Sequence, residues 1–199
     1  MKDDSLYTYL TNLVNSEDRW APNTVVRQKF DRAVYIYQPG DQQTCIHLIE
    51  RGVVKIGSYS PDGERVAYDI LQPGEFFGDL NYLDDTEFFE FAKAVTSVTV
   101  LSIDLRFFKH IIVHNPIASD WFNSNVVRRW WKAETRLLYM TRGDIDARLA
   151  NLRKEYDKLV RDNEGKSHNV FNLLSLQVLA DLTGTTRQTI SKKLKEAVF

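Results

Sequence analysis

Apolar positions change their period twice along this chain. Over residues 1–20 they fall at Leu6, Tyr9/Leu10, Leu13 and Val14, the spacing of one face of a helix. From 24 to 104 the pattern breaks into short β-branched and aromatic runs: VYIYQPGD (34–41), IHLIERGVVKIGSYS (46–60), ERVAYDIL (64–71) and VTVLSID (98–104). Pro39-Gly40-Asp41, Arg51-Gly52, Pro61-Asp62-Gly63 and Pro73-Gly74 punctuate them. Short strands with a turn signal every roughly ten residues predict an antiparallel sandwich or barrel.

From about residue 104 to 142 the helical spacing returns, with Pro116 suited to a first helical turn. Phe122, Val126, Trp130, Ala133, Leu137 and Met140 make one apolar stripe, and Trp121, Val127, Trp131 and Leu138 widen it or make a second. A helix apolar on two faces needs two partners, here its own barrel and a second chain; one broad buried face in a monomer is the plainer reading. Asp144 predicts the cap of a helix over 145–160, and RDNEGKSHN (161–169) reads as a loop.

The C-terminal stretch is LLSLQVLADLTGTTRQTISKKLKEAVF. Ser175 is placed to cap a helix carrying Leu176, Val178, Leu179 and Leu182, and Gly184 stands where a tight turn needs positive φ. Thr185 and Gln188 match a T-x-x-Q capping box for a second helix. Helix, Gly-containing turn and helix form the helix-turn-helix pattern. The second helix sends Ile190, Leu194 and Ala197/Val198 inward and Arg187, Gln188, Ser191, Lys192 and Lys195 outward.

Charge sharpens that last helix. The whole chain has 199 residues and a net charge of −1, so any basic patch is local. Residues 184–199 hold four bases and one acid. Arginine suits guanine edges and glutamine adenine edges, whereas lysines and hydroxyls suit phosphates. A solvated basic face on a helical hairpin uses the same residues.

Other chemistries find little footing. Cys45 is the single cysteine, which excludes an intramolecular disulfide, a Cys₄ zinc site and a Cys-ligated iron–sulfur cluster. No stretch approaches the roughly 18 apolar residues of a membrane span and no leader is recognisable, so a cytoplasmic protein with no membrane contact is expected. His110 and His114 lie four apart without a third ligand cluster, and Cys45 and His47 have nothing else to recommend them as haem ligands; neither metal nor cofactor is expected. No nucleophile–base constellation or Gly-rich nucleotide loop points to an enzyme.

One stretch remains, GEFFGDLNYLDDTEFFEF (74–91). Its front half looks like a loop that cradles phosphate. Its six acids come with no compensating base: neither Lys nor Arg occurs between Arg65 and Lys93.

The order of elements, with Pro39-Gly40-Asp41, Gly52-Val53-Val54-Lys55, Gly63, Pro73-Gly74-Glu75-Phe76-Phe77-Gly78-Asp79 and TGTTRQTISKKLKE, resembles the Crp/Fnr bacterial transcription regulators over about residues 20–199. The resemblance implies an α+β fold. An antiparallel β-barrel of the cyclic nucleotide-binding type (a double-stranded β-helix) with its N-terminal helix takes 1–115, a long dimerisation helix 116–142, and a helix-turn-helix DNA-binding domain 143–199. It further implies a homodimer joined along 116–142, a near-palindromic double-stranded DNA site, and a small-molecule effector pocket between barrel and long helix.

In cyclic-nucleotide binders of that family, a Gly–acid pair opens a helical turn facing the phosphate, and the acid takes the ribose hydroxyl. Gly78 and Asp79 match that pair, with Leu80 next. About ten residues on, where those proteins place Arg-Ser or Arg-Thr, this chain has Phe88-Phe89-Glu90. Arg128-Arg129 matches an Arg that contacts the pocket acid, but the adenine-reading Thr-Ser falls on Ala133-Glu134. A lost charge-assisted hydrogen bond costs about 1.5–3 kcal/mol, or roughly 10–100-fold in affinity. The sensor is therefore expected to reject cyclic AMP. Phe88, Phe89 and Phe91 then either fill the core or wall an apolar pocket for an unidentified effector.

Carried onto DNA, the resemblance puts Arg187 and Gln188 on bases and Thr186, Ser191, Lys192 and Lys195 on phosphates or bases. Relatives continue past the recognition helix into a β-hairpin wing, whereas this sequence stops at Phe199. A second reading is a small-ligand sensor whose helix-turn-helix contacts protein rather than DNA.

Overall fold

A computed structural model describes residues 3–16, 19–82 and 88–196, with side chains from residue 8 onward. Helix α1 (Asp3–Asn15) precedes eight strands: β1 (Val25–Phe30), β2 (Tyr35–Tyr37), β3 (Cys45–Arg51), β4 (Val54–Tyr59), β5 (Arg65–Leu71), β6 (Phe76–Phe77), β7 (Phe91–Ala94) and β8 (Val98–Asp104). They pair as two four-stranded antiparallel sheets, in the orders β1-β8-β3-β6 and β2-β7-β4-β5.

The expected closed barrel is thus a sandwich. Among the described residues no ladder joins the sheets. The edge strands β6 and β2 are two and three residues long, too short to bridge the gap. Tyr37, Ile49, Val54, Ile56, Leu71, Phe77, Val98 and Val100 fill the space between the sheets.

Both sheets are covered on their outer faces as well. Val25, Ile46, Leu48, Leu101 and Ile103 pack against α1, α2 (Leu105–His114) and the start of α3 (Pro116–Arg142). Val53, Ala67 and Ile70 pack against α4 (Ile145–Tyr156), α5 (Val170–Leu173), α6 (Leu176–Thr183) and α7 (Arg187–Glu196). With both faces covered, β3 and β8 are buried at nearly every position rather than at alternate ones.

The helix starts follow local chemistry. Asp104 caps α2, Asn115 caps α3 ahead of Pro116, and Asp144 caps α4. Helix α4 stops at Tyr156 rather than at 160. The predicted loop 161–169 belongs to a hairpin, β9 (Leu159–Arg161) with β10 (Ser167–Asn169). Its polar residues read as loop because they are spent closing the turn: Asp162 accepts from the Glu164 and Lys166 amides and from His168 Nε2 at 2.7 Å.

That hairpin is pinned to the sandwich. The Gly52 amide donates to Arg161 O at 2.9 Å, and the Asn163 side chain accepts from the Thr99 hydroxyl at 2.9 Å. Gly52 has φ +86, and a Cβ there would lie 2.5 Å from Ser97 O, so only glycine lets the strands approach this closely.

The last two helices are joined through Gly184, at φ +63 in the left-handed region, where the missing Cβ removes the steric penalty. Ser175 caps α6 as expected, its Oγ accepting from Val178 N at 3.2 Å. The α7 cap lies within the Thr185-Thr186 pair, as expected, but is not the Thr185–Gln188 capping box. Thr186 Oγ1, not Thr185, accepts an amide, that of Thr189 at 3.2 Å. Gln188 is therefore not held in a capping box, and its side chain is exposed. Ala197 and Val198 lie outside the described residues.

Candidate functional site

A cavity of about 500 Å³ lies between the sandwich and α3. Tyr68, Asp69, Phe76, Gly78 and Leu80 form its sandwich wall, and Val126, Arg129, Trp130, Lys132, Ala133 and Arg136 its helix wall. Of the residues expected here, Gly78, Leu80 and Arg129 line it.

Asp79, Phe88, Phe89, Glu90 and Glu134 do not. Asp79 Oδ1 accepts from the Asn81 amide at 2.7 Å, a local turn that uses up one oxygen of the presumed ribose acid. Phe88 is half-buried against the inter-sheet core with its ring 5.8 Å from Tyr37, and Phe91 is buried beside Tyr35 and Tyr59, so both are packing residues. Phe89 is 57% exposed and lies outside the wall of this cavity. Glu134 faces solvent.

Glu90 is held by two tyrosines. Both its oxygens accept hydroxyls, from Tyr37 and from Tyr68. Burial pushes its carboxyl up, against the pull of the two tyrosines and of Arg129. The space is filled further by Tyr37 stacked on His47, and by His47 on Phe77.

The chemically distinctive part is one the sequence reading passed over. Lys132 and Arg136 point from α3 towards the sandwich. Lys132 Nζ is 2.7 Å from Asp69 Oδ1 and 3.0 Å from Glu155 Oε1. Arg136 Nη2 lies 3.4 Å from the same Asp69 oxygen and 3.1 Å from the same Glu155 oxygen. The Tyr156 hydroxyl donates to Asp69 Oδ1 at 2.9 Å and accepts from Arg136 Nη2 at 2.9 Å.

Burial would raise the Asp69 carboxyl, but Lys132 and Arg136 outweigh it and hold it below the usual range. Burial would likewise lower Lys132, but Asp69, Glu75 and Glu155 raise it. Arg129 joins the same helix face, its Nη1 donating to Phe76 O at 3.2 Å. Asn125, Arg129, Lys132 and Arg136 follow one another at helical spacing. A search for apolar stripes alone passes over this polar one.

Outside the cavity, α7 presents Arg187, Gln188, Lys192 and Lys195 to solvent. Lys192 lies 3.8 Å from Glu196 on its own helix. Ser191 is half-buried, and the Thr186 hydroxyl serves the α7 cap and meets Thr189 Oγ1 at 2.9 Å. Lys193, the remaining base, turns back to Asp146 of α4 at 2.6 Å.

Sequence and structure comparisons agree with this layout. Residues 27–115 match the cyclic nucleotide-binding domain family. The chain is 26% identical over 167 residues to the CRP-like cAMP-activated global transcriptional regulator of Mycobacterium tuberculosis, covering 84% of this chain and 75% of that protein. The chain is thus similar to CRP-like transcription regulators over most of its length. Its fold is shared by solved structures of such proteins. A cyclic nucleotide-binding domain containing protein from Listeria monocytogenes superposes with a TM-score of 0.70 at 16% identity, over 100% of this chain and 91% of the other. The c-di-GMP responsive global regulator CLP of Xanthomonas campestris gives 0.68 at 17% identity, over 87% and 86%. One of these proteins is cAMP-activated and another c-di-GMP responsive. Among the described residues no helix is long and apolar enough to cross a membrane.

Proposed function

We propose that this regulator is a homodimer that binds near-palindromic double-stranded DNA through α7, and that its sensor does not respond to cyclic AMP. The observation that carries the DNA reading is α7 itself. It follows a left-handed glycine turn, is capped by Thr186, and turns four polar or cationic side chains to solvent in a nearly neutral chain. The domain division is 1–115 for the sensor, 116–142 for the dimerisation helix and 143–199 for DNA binding.

Arg187 and Gln188 are assigned to base edges, and Lys192 and Lys195 to phosphates. Ser191 and Thr186 are secondary, because one is half-buried and the other is engaged in a cap. The case against cyclic AMP rests on Glu90, which stands among Tyr37 and Tyr68 where a phosphate would need a cation.

The test is selection from a random DNA pool followed by anisotropy titrations of the selected site. An enriched near-palindrome is expected. Arg187→Ala should then relax base preference by about 1–3 kcal/mol at one position, whereas Lys195→Ala should weaken all sequences alike and flatten the salt dependence. Equal loss of specificity from both variants would reverse the assignment. Calorimetric titration with cyclic AMP should give no binding tighter than about 10 µM, an affinity of about 7 kcal/mol.

A further inference from the structure

We infer that a second, smaller cavity, between the outer face of the β2-β7-β4-β5 sheet and residues 173–178, is a binding site for a phosphate-type tetrahedral oxyanion. Arg32, Lys55 and Lys93 stand in its sheet wall, and Leu174, Ser175 and Val178 in its helix wall. It shares no lining residue with the cavity against α3. Neither Asp nor Glu is among the described residues of its wall.

The sheet register brings the cations together. Lys55 of β4 lies directly opposite Lys93 of β7, with Ile70 beyond Lys55 and Tyr35 beyond Lys93 in the same cross-strand row. Like charges directly opposite on neighbouring strands repel. The row lies on a covered face, since Ile70 packs with Leu174 and Val178, and both lysines are half-buried. A sheet that was only packing here would carry apolar residues or a lysine–carboxylate pair.

Nothing nearby neutralises the lysines. Among the described residues Arg32, Lys55 and Lys93 make no ion pair. Lys93 has only the ring of Tyr35, 4.4 Å from its Nζ, and Arg65 approaches the same ring at 5.5 Å. Burial and Lys93 hold the Lys55 ammonium below the usual lysine range, against the pull of Asp181. Both oxygens of Asp181 are already engaged, by the Ala67 amide at 2.9 Å and by Gln177 Nε2 at 2.8 Å. Ala33, beside Arg32, has φ +68, a conformation that non-glycine residues seldom take. It is held there by its amide bond to Ala94 O at 2.9 Å.

Size narrows the ligand. A volume of about 150 Å³ holds about five waters at about 30 Å³ each, and so admits the five heavy atoms of a phosphate. Lysine and arginine donors facing an anion make charge-assisted hydrogen bonds. The anion can come free or as the terminal group of a phosphate monoester, and the chemistry recognised is the same.

Calorimetric titration of the full chain with inorganic phosphate, in chloride buffer of constant ionic strength, tests the site. One saturable site with Kd of about 1 mM or tighter is expected. Lys55→Gln and Lys93→Gln should each weaken it by about tenfold, whereas Lys29→Gln, an exposed lysine of β1, should stay within about twofold. Melting curves separate a ligand site from a structural role. About 10 mM phosphate should raise the parent's melting temperature by about 3 °C and leave both variants within about 1 °C. In phosphate-free buffer, both variants should melt no lower than the parent, because each removes a repulsion. Glycerol 3-phosphate forms the second arm: at least about tenfold tighter binding than phosphate assigns the site to a monoester, and equal or weaker binding to the free anion. Three results overturn the site: no saturation by about 10 mM of either probe, parent-like affinity in Lys55→Gln and Lys93→Gln, or an equal loss in Lys29→Gln. All three variants leave α7 intact, so the site and the DNA reading fail separately.

Discussion

His47 shows how a single buried side chain sets a working range for the molecule. It lies 7% exposed, with Nδ1 2.9 Å from Ser102 Oγ, and burial pulls its pKa down to about 4. An unfolded histidine titrates near 6.5, so between the two values the unfolded chain binds the extra proton. Stability contributed by neutral His47 is therefore full above pH 6.5 and lost as pH falls towards 4. Between pH 6.5 and 4.5 that loss is about 2 kcal/mol. Glu75 and Glu90 act in the opposite sense, because burial raises both and their folded forms take up protons first. Comparison of variants isolates the histidine: in urea titrations, His47→Gln should lose about 2 kcal/mol less than the parent between pH 6.5 and 4.5. An unchanged difference would mean the ring is protonated in place.

Residues were legible in the sequence where one of them makes its own local structure. Ser175, Gly184, Asp144 and Pro116 announce a cap, a turn and two helix starts, and the structure has them there. Glu90 was legible as a misfit, though not as the acceptor of two tyrosine hydroxyls, because Tyr37 and Tyr68 lie 53 and 22 residues away. Asp69 and Tyr156 were invisible for the same reason: 87 residues separate them, and nothing local to either predicts the other.

At the scale of elements, α3 carries the argument. Its apolar residues were expected to divide between a barrel and a partner, and they divide unequally. Trp121 and Phe122 pack on Phe76, but further along the sandwich side is taken over by Asn125, Arg129, Lys132 and Arg136. Trp130 and Trp131 are 64% and 69% exposed, and Leu137 and Leu138 61% and 60%. An apolar row of this length on a monomer marks an interaction surface, and the proposed dimer would bury it. Trp131→Glu should then sediment as a monomer at concentrations where the parent is a dimer. An unaltered mass would place the partner face elsewhere. The β9–β10 hairpin was missed because its strands have three residues each and too little apolar periodicity to stand out from a loop.

The whole molecule reads as helix, two sheets and helices, and that order was legible because hydrophobic period changes sharply at the junctions. Whether the sheets close, and which faces of β5 are covered, was not, since both depend on contacts between distant segments. The pinch at Gly52 has a consequence for modularity. Family resemblance draws a domain border at residues 27 and 115, yet the Gly52 amide bonds to Arg161 beyond it, and Val53, Ala67 and Ile70 bury themselves under α4 to α7. Cut at that border, the fragment would expose an unpaired amide and an apolar sheet face. It should unfold at lower urea than the sandwich does in the intact chain, whereas an equal midpoint would show a self-sufficient module. The border that heredity recognises is not where the folding unit ends.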